Sequence, residues 1–190
     1  TIAHGIAIAP SGGTILVAAG TYDEHNIIVD KPLTILGDPG DEAPGPGPSA
    51  PVIDGGGLSA LGSDDAFRLA EGVHDVTISG FEIRNLYNAF DNNGTGVAIQ
   101  GWVQSTADIT ISDNWIHDVG YGVLAGNDPW DPGTGMHSRW SVVRNVLEGF
   151  VIGIELTQSS DSTAGDNVLH MTDGSSGGTT HHAVTALWSY

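Results

Sequence analysis

Four polar side chains that could carry chemistry occupy the same place in four similar segments. Arg84, His117, Glu148 and His170 each follow an aliphatic residue by one position. In stacked strands such residues would lie about 4.8 Å apart on one outward face. His117 paired with Glu148 could remove the proton α to a uronate carboxyl while Arg84 neutralises that carboxyl, as in a lyase or an epimerase. We predict His117, Glu148 and Arg84 as catalytic residues.

Two other interpretations fit the same four residues. His117, Glu148 and His170 are ligand types that a divalent transition metal accepts. The simplest interpretation is structural, because opposite charges on neighbouring strands stabilise a sheet by roughly a few tenths of a kcal/mol per pair. The three interpretations stay open at the level of sequence.

Substrate-binding residues are predicted in and near the polar loops. Trp102 and Trp130 stand among Asp, Asn, Gln and His residues. A tryptophan in such a loop either packs back on the fold or stacks on a flat ligand face such as a sugar ring. We group the polar residues Asn127 and Gln158 with the two tryptophans as predicted substrate-binding residues.

The segment "NDPWD" (127 to 131) predicts a Ca²⁺ site. Asp128 and Asp131 are the predicted metal ligands, together with the oxygen of Asn127, since Ca²⁺ prefers carboxylate and amide oxygens. The alternative is an Asx turn before proline, in which the Asp side chain caps its own backbone. The neighbouring histidines His181 and His182 are not predicted as a metal pair, because adjacent strand residues point to opposite faces.

These residues would be positioned by a repeating unit. The aliphatic residues Ile83, Ile116, Leu147 and Leu169 align at spacings of 33, 31 and 22 residues, which fall in the range of repeat architectures. A second series follows, in which we align "GVAIQ" (96 to 100), "GVLAG" (122 to 126), "GIELT" (153 to 157) and "AVTAL" (183 to 187). Short alternating strands with no helical period between them predict a solenoid of stacked β-coils.

An asparagine column and a terminal helix support the solenoid. Asn114, Asn145 and Asn167 each lie three residues after an inward position of the repeat. Stacked asparagines form amide ladders, and asparagine also tolerates the left-handed backbone of tight corners, so we predict both roles. In residues 2–9, Ile2 and Ile6 share one face of a predicted helix that would cap the apolar end of the stack.

The chain resembles the pectin-lyase-like superfamily of right-handed parallel β-helix proteins. The resemblance lies in "GGTILVAAGTYDEHNIIVDKPLTILGD" (12 to 38), "PVIDGGG" (51 to 57) and "VTISGFEIRN" (76 to 85). It implies an all-β, right-handed parallel β-helix over nearly the whole chain. The superfamily includes polysaccharide lyases, glycoside hydrolases, uronate epimerases, phage tailspikes, adhesins and accessory proteins, so fold alone does not give activity.

Motifs of the individual enzyme families are missing from the sequence. The paired aspartates and "GHG" of polygalacturonase-like hydrolases and the "RxPxxR" of pectate lyases do not occur. In "NDPW", Trp130 stands where the "DPH" motif of alginate epimerases needs histidine. No serine lies in a "GxSxG" elbow.

Composition limits the partners. The 190 residues include 23 acidic and 5 basic side chains, a formal charge of −18, and no cysteine. Nucleic acid is therefore an unsuitable partner, since a polyanion requires a basic surface. No apolar run is long enough to insert into a membrane. We expect one domain over residues 1–190, either a whole protein or a fragment of a longer chain, whose coil ends are covered by a second copy or a neighbouring domain.

Two functions are expected from the sequence. The first is a carbohydrate-associated β-helix that binds polysaccharide and has lyase, hydrolase or epimerase activity on the exposed sheet face. The alternative is a non-catalytic structural or adhesive module of a multidomain protein. Both place the protein outside the cell or at its surface, with Ca²⁺ as the only candidate cofactor. The two functions can be distinguished by whether Trp102 and Trp130 lie in one cleft with His117 or Glu148.

Overall fold

The computed structural model describes residues 1–38, 50–56, 65–86, 96–101, 105–126, 136–170 and 182–185. In these ranges the chain is a right-handed parallel β-helix with one short N-terminal helix, as the sequence predicts. Its elements in chain order are α1 (Ile2–Ile8), β1 (Gly13–Val17), β2 (Gly20–Tyr22), β3 (Ile27–Val29), β4 (Leu33–Gly37), β5 (Pro51–Asp54), β6 (Asp65–Leu69), β7 (His74–Ser79), β8 (Glu82–Leu86), β9 (Val97–Gln100), β10 (Ala107–Ser112), β11 (Trp115–Ala125), β12 (His137–Val143), β13 (Val146–Leu156), β14 (Ser159–Ser160), β15 (Thr163–Gly165), β16 (Val168–His170) and β17 (His182–Thr185).

The strands of the described residues form two sheets, and paired strands run parallel within each sheet. The seven-stranded sheet has the order β1, β4, β7, β10, β12, and β14 and β15 both pair with β12. The ten-stranded sheet has two runs that share the long strands β11 and β13. The first run is β2, β5, β8, β11, β13, β16, and the second run is β3, β6, β9, β11, β13, β17. Successive coils therefore stack directly on one another.

The predicted aliphatic column fills the interior. Ile83, Ile116 and Leu147 are register partners on neighbouring strands, and each side chain is fully buried. Leu169 continues the column in β16 and is partly buried. Burying a side chain of this size stabilises the fold by about 1.5 to 3 kcal/mol. The column thus accounts for both the stacking and its register.

The predicted alignment of the second series is wrong at its first member. Val123, Ile154 and Val184 are register partners as predicted. In β9, however, Ile99 rather than Val97 pairs with Val123. The sequence alignment matched Gly96 to Gly122, whereas the buried side chains decide the register. The true register differs by two residues, which keeps the same face of β9 inward.

The asparagine ladder is confirmed. The Nδ2 of Asn145 donates to Oδ1 of Asn167 at 3.0 Å, and the Nδ2 of Asn114 donates to Oδ1 of Asn145 at 3.0 Å. Asn114 Oδ1 in turn accepts the backbone N–H of Phe81, the residue that precedes the ladder. Asn114 and Asn145 are fully buried, so each rung satisfies backbone groups that water cannot reach.

The predicted left-handed conformation of these asparagines is wrong. Positive φ occurs one residue earlier, at Asp113 (58°), Arg144 (55°) and Asp166 (56°). The corner residue must turn the chain, and the residue after it must then face inward to form the rung. Arg144 donates from Nε and Nη2 to the two carboxylate oxygens of Asp113, which ties two neighbouring corners together.

Helix α1 covers the first coil, as predicted. Ile2 and Ile6 are 2% and 3% exposed and join the core. Glu24 accepts the N–H of Ile2 at 2.7 Å at the helix start, and Lys31 Nζ donates to the carbonyl of Ala9 at 3.2 Å beyond its end. Both charges complement the helix dipole. In the described part of the chain, no helix has the length and apolar character of a membrane span.

Candidate functional site

The predicted polar residues lie in one outward row across the first run of the ten-stranded sheet. Arg84, His117, Glu148 and His170 are successive register partners, and Asp54 of β5 precedes Arg84 in the same row. We call these five residues the outward stripe. They alternate along each strand with the buried aliphatic column, which fixes their direction. The catalytic roles assigned to three of them stay predictions.

Arg84 is held by two carboxylates. Its Nε donates to Oδ2 of Asp54 at 2.8 Å, and its Nη1 donates to Oε1 of Glu82 at 2.7 Å. Two of the five N–H donors of the guanidinium therefore serve this chain's own acids. The hydrogen bond that Arg84 donates to Asp54, and then the charges of Glu82 and Asp54, raise the pKa of Arg84 against the opposing effect of its burial.

Asp54 is the most fully bonded acid of the stripe. Its Oδ1 accepts from Nδ2 of Asn85 at 2.9 Å and from the backbone N–H of Gly56 at 2.9 Å. Partial burial acts to raise the pKa of Asp54, but the hydrogen bonds from Asn85, Gly56 and Arg84 outweigh it and hold that pKa below its usual value. Asp54 is thus an ionised anchor for Arg84.

His117 faces two carboxylates, neither of which belongs to Glu148. Its Nε2 lies 3.3 Å from Oε1 of Glu82, and its Nδ1 lies 2.8 Å from Oδ2 of Asp118. Glu148 is its register partner on β13, yet the carboxylate of Glu148 accepts a hydrogen bond from a different side chain. The predicted pairing of His117 with Glu148 is therefore one of position and not of hydrogen bonding.

That side chain is Trp115, which sequence reasoning did not assign to the site. The indole Nε1 donates to Oε2 of Glu148 at 3.0 Å. The indole also stacks on the imidazole of His117, with ring centroids 4.4 Å apart and planes at 30°. Trp115 is two residues before His117 in β11, so both point outward, and this period of two was the signal available in the sequence.

The face around the stripe is electronegative. Four carboxylates, of Asp54, Glu82, Asp118 and Glu148, lie along the stripe with one guanidinium and two imidazoles, of Arg84, His117 and His170. Glu82 is nearly buried, with 10% of its side chain exposed, whereas 64% of the Asp118 side chain is exposed. The less exposed acids Asp54 and Glu82 bind Arg84, whereas the carboxylate of Asp118 is exposed to solvent.

Most of the predicted substrate and metal residues lie outside the described residues. This applies to Trp102, Trp130, Asn127, Asp128 and Asp131.

Gln158 lies in the turn between β13 and β14, off the stripe, where φ is 50° and its carbonyl accepts the N–H of His137. Within the described ranges no three acidic or histidine side chains are arranged to hold a metal ion, so the structure gives the transition-metal interpretation of His117, Glu148 and His170 no support.

A second polar group lies inside the coil, below the surface. His137 is fully buried, and its Nδ1 lies 2.8 Å from Oγ1 of Thr106. The same hydroxyl accepts from Nε1 of Trp140 at 3.0 Å, so its own proton is available to a neutral imidazole. Burial lowers the pKa of His137 from 6.5 to about 4, and the Gly126 backbone offsets only part of that effect.

Comparison with known proteins gives one family. Searches among curated proteins and among solved structures found no match. A family described as "Protein of unknown function (DUF1565)" matches residues 1–170. The match spans the helix cap, the asparagine ladder and the whole outward stripe, and the chain belongs to the DUF1565 family.

Proposed function

We propose that the outward stripe, with Trp115 beside it, binds a polysaccharide, and that the chain is a β-helix of the pectin-lyase-like type. The observation that carries the proposal is the Trp115–His117 stack between the carboxylates of stacked coils. An aromatic face flanked by polar groups is the usual chemistry of sugar recognition, since sugar rings have apolar faces and hydroxyl edges.

The regular spacing of the coils supports a polymeric ligand. Stacked strands repeat at about 4.8 Å, so the stripe is a row of polar groups that runs parallel to the helix axis. Asp54, Arg84, His117, Glu148 and His170 come from five successive strands of the first run. A linear chain of sugars could contact several of these strands at once, which multiplies weak contacts.

The hydrogen bonds of His117 and Arg84 favour binding without catalysis. A general base needs a free lone pair directed at its substrate, whereas both ring nitrogens of His117 face carboxylates of this chain. Arg84 is likewise engaged by Asp54 and Glu82. These contacts support the alternative of a non-catalytic structural or adhesive module, acting at a cell surface, over a lyase, hydrolase or epimerase.

Two assays on the same samples test the proposal. Retention on insoluble polysaccharides measures binding, and absorbance of unsaturated products together with reducing-end release measures cleavage. We expect retention by the wild type, loss of retention in Trp115→Ala, and no cleavage. Cleavage that is lost in His117→Asn would instead establish an enzyme. If a folded sample is retained by no polysaccharide, glycan binding is wrong.

A further inference from the structure

We propose that Asp54 and Glu82 set the specificity of the outward stripe, by holding Arg84, so that the stripe prefers glycans of amino sugars to glycans of uronates. This inference rests on the proposed glycan binding and adds the substrate class. It differs from the chemistry expected from the sequence, in which Arg84 neutralises the carboxyl group of a uronate.

The first step of the argument concerns the guanidinium. Recognition of a ligand carboxylate by arginine uses two parallel N–H donors of the guanidinium fork. In Arg84, Nε is bonded to Asp54 at 2.8 Å and Nη1 to Glu82 at 2.7 Å. Three N–H donors of Arg84 remain, but a uronate that used them would lie against the carboxylates of Asp54 and Glu82, which would repel it.

The second step concerns the residues that hold the acids in place. Asp54 is fixed by Asn85 and by the backbone N–H of Gly56, so it cannot swing away from Arg84 without losing these bonds. Glu82 is nearly buried between Arg84 and His117 and accepts a hydrogen bond from Nη1 of Arg84 at 2.7 Å. Both acids are therefore rigid parts of the surface.

The third step concerns the charge that remains. Asp54 and Glu82 neutralise Arg84, and Glu82 also contacts His117. Two further carboxylates remain, that of Glu148 bonded to Trp115 and that of Asp118 bonded to His117, the ring on which Trp115 stacks. Glu148 accepts the indole N–H, which leaves its negative charge intact, and Asp118 is largely exposed. A ligand that stacks on Trp115 thus meets negative charge on its polar edge, and the whole chain carries −18.

The expected order of affinity follows from this charge. An oligomer of glucosamine gains attraction at each charged amine, an oligomer of glucose is neutral, and an oligomer of galacturonate is repelled. One unit charge at about 4 Å in water changes an equilibrium by about fivefold. The affinities should therefore fall in the order glucosamine, glucose, galacturonate, and the differences should shrink as salt is added.

The experiment is calorimetric titration of the three oligomers, matched in length, into the whole chain. EDTA removes Ca²⁺, which could bridge a uronate to the protein, and a pH of about 6 keeps the amines charged. The variants are Asp54→Asn and, as an independent second change, Glu82→Gln. Asp108→Asn is the matched control, because Asp108 holds Arg139 by two hydrogen bonds of 2.6 Å on the seven-stranded sheet, away from the stripe.

We expect Asp54→Asn and Glu82→Gln to weaken glucosamine binding and strengthen galacturonate binding by about fivefold each, and Asp108→Asn to change either by less than about twofold. Unfolding curves check that each variant is folded. If only one of Asp54→Asn and Glu82→Gln folds, that variant alone tests the specificity. If the wild type binds galacturonate more tightly than glucosamine, the specificity is wrong while glycan binding stands. Equal effects of Asp54→Asn and Asp108→Asn would also overturn it. Binding of none of the three overturns the specificity, and the retention assay on other polysaccharides then decides glycan binding.

Discussion

Acidification to about pH 5 should destabilise the protein through one buried histidine. The pKa of His137 is 6.5 in an unfolded chain and about 4 in the folded protein. Between these values the unfolded state binds a proton that the folded state does not, so the free energy of unfolding falls as pH falls. The stabilisation is complete above pH 6.5 and is lost as the pH falls from there towards about 4.

The magnitude follows from the two pKa values. One pKa unit corresponds to about 1.4 kcal/mol, so the full shift is worth about 3 kcal/mol, and about 2 kcal/mol of it is lost between about pH 7 and about pH 5. The pH range is chosen to avoid the carboxylates. Asp54 and Asp113 have lowered pKa values, so the stability that they contribute is lost only when the pH falls below about 4.

The assay is urea unfolding at a series of pH values, on the wild type and on His137→Asn. Asparagine keeps a polar atom near Oγ1 of Thr106 and cannot titrate. We expect the free energy of unfolding of the wild type to fall by about 2 kcal/mol more than that of the variant over this range. Parallel pH profiles for the two proteins would refute the assignment of a buried neutral imidazole.

Two further changes test the asparagine ladder and the helix cap. Asn145→Ala should lower the free energy of unfolding by about 3 kcal/mol, because it leaves buried groups of Asn114 and Ile111 unbonded, whereas Asn167→Ala at the partly exposed end of the ladder should cost less than half as much. Equal losses in urea unfolding would count against the ladder. Glu24→Ala should cost about 1 kcal/mol and speed hydrogen exchange in α1, because Glu24 accepts the N–H of Ile2. The exposed neighbour Asp23 is the control, and Asp23→Ala should leave exchange in α1 unchanged.

The fold could be predicted because each coil repeats the same requirements. A buried residue at the position of Ile116 and a rung at the position of Asn114 recur in neighbouring coils, so alignment of the sequence with itself finds them. The register of β9 could not be predicted, since Gly96 and Gly122 look equivalent in sequence, while the buried side chains of Ile99 and Val123 decide the pairing.

The site could be predicted only in part. The row of Arg84, His117 and Glu148 follows from the repeat, because register partners share a face. The hydrogen bonds do not follow, because long side chains reach diagonally. His117 contacts Glu82, two residues out of register. Arg84 contacts its register partner Asp54, which belongs to a coil that the sequence alignment did not include. Sequence alignment compares positions, whereas these bonds depend on side-chain rotamers.

The most direct test of the account is the affinity of the best-bound glycan for Trp115→Ala, compared with the wild type and with Leu16→Ala. Leu16 is 66% exposed on the seven-stranded sheet, so its truncation removes apolar surface away from the stripe. We predict that Trp115→Ala weakens binding by about tenfold or more, since a lost aromatic stack is worth about 1.4 kcal/mol, and that Leu16→Ala has no effect. Unchanged affinity in a folded Trp115→Ala would contradict the account.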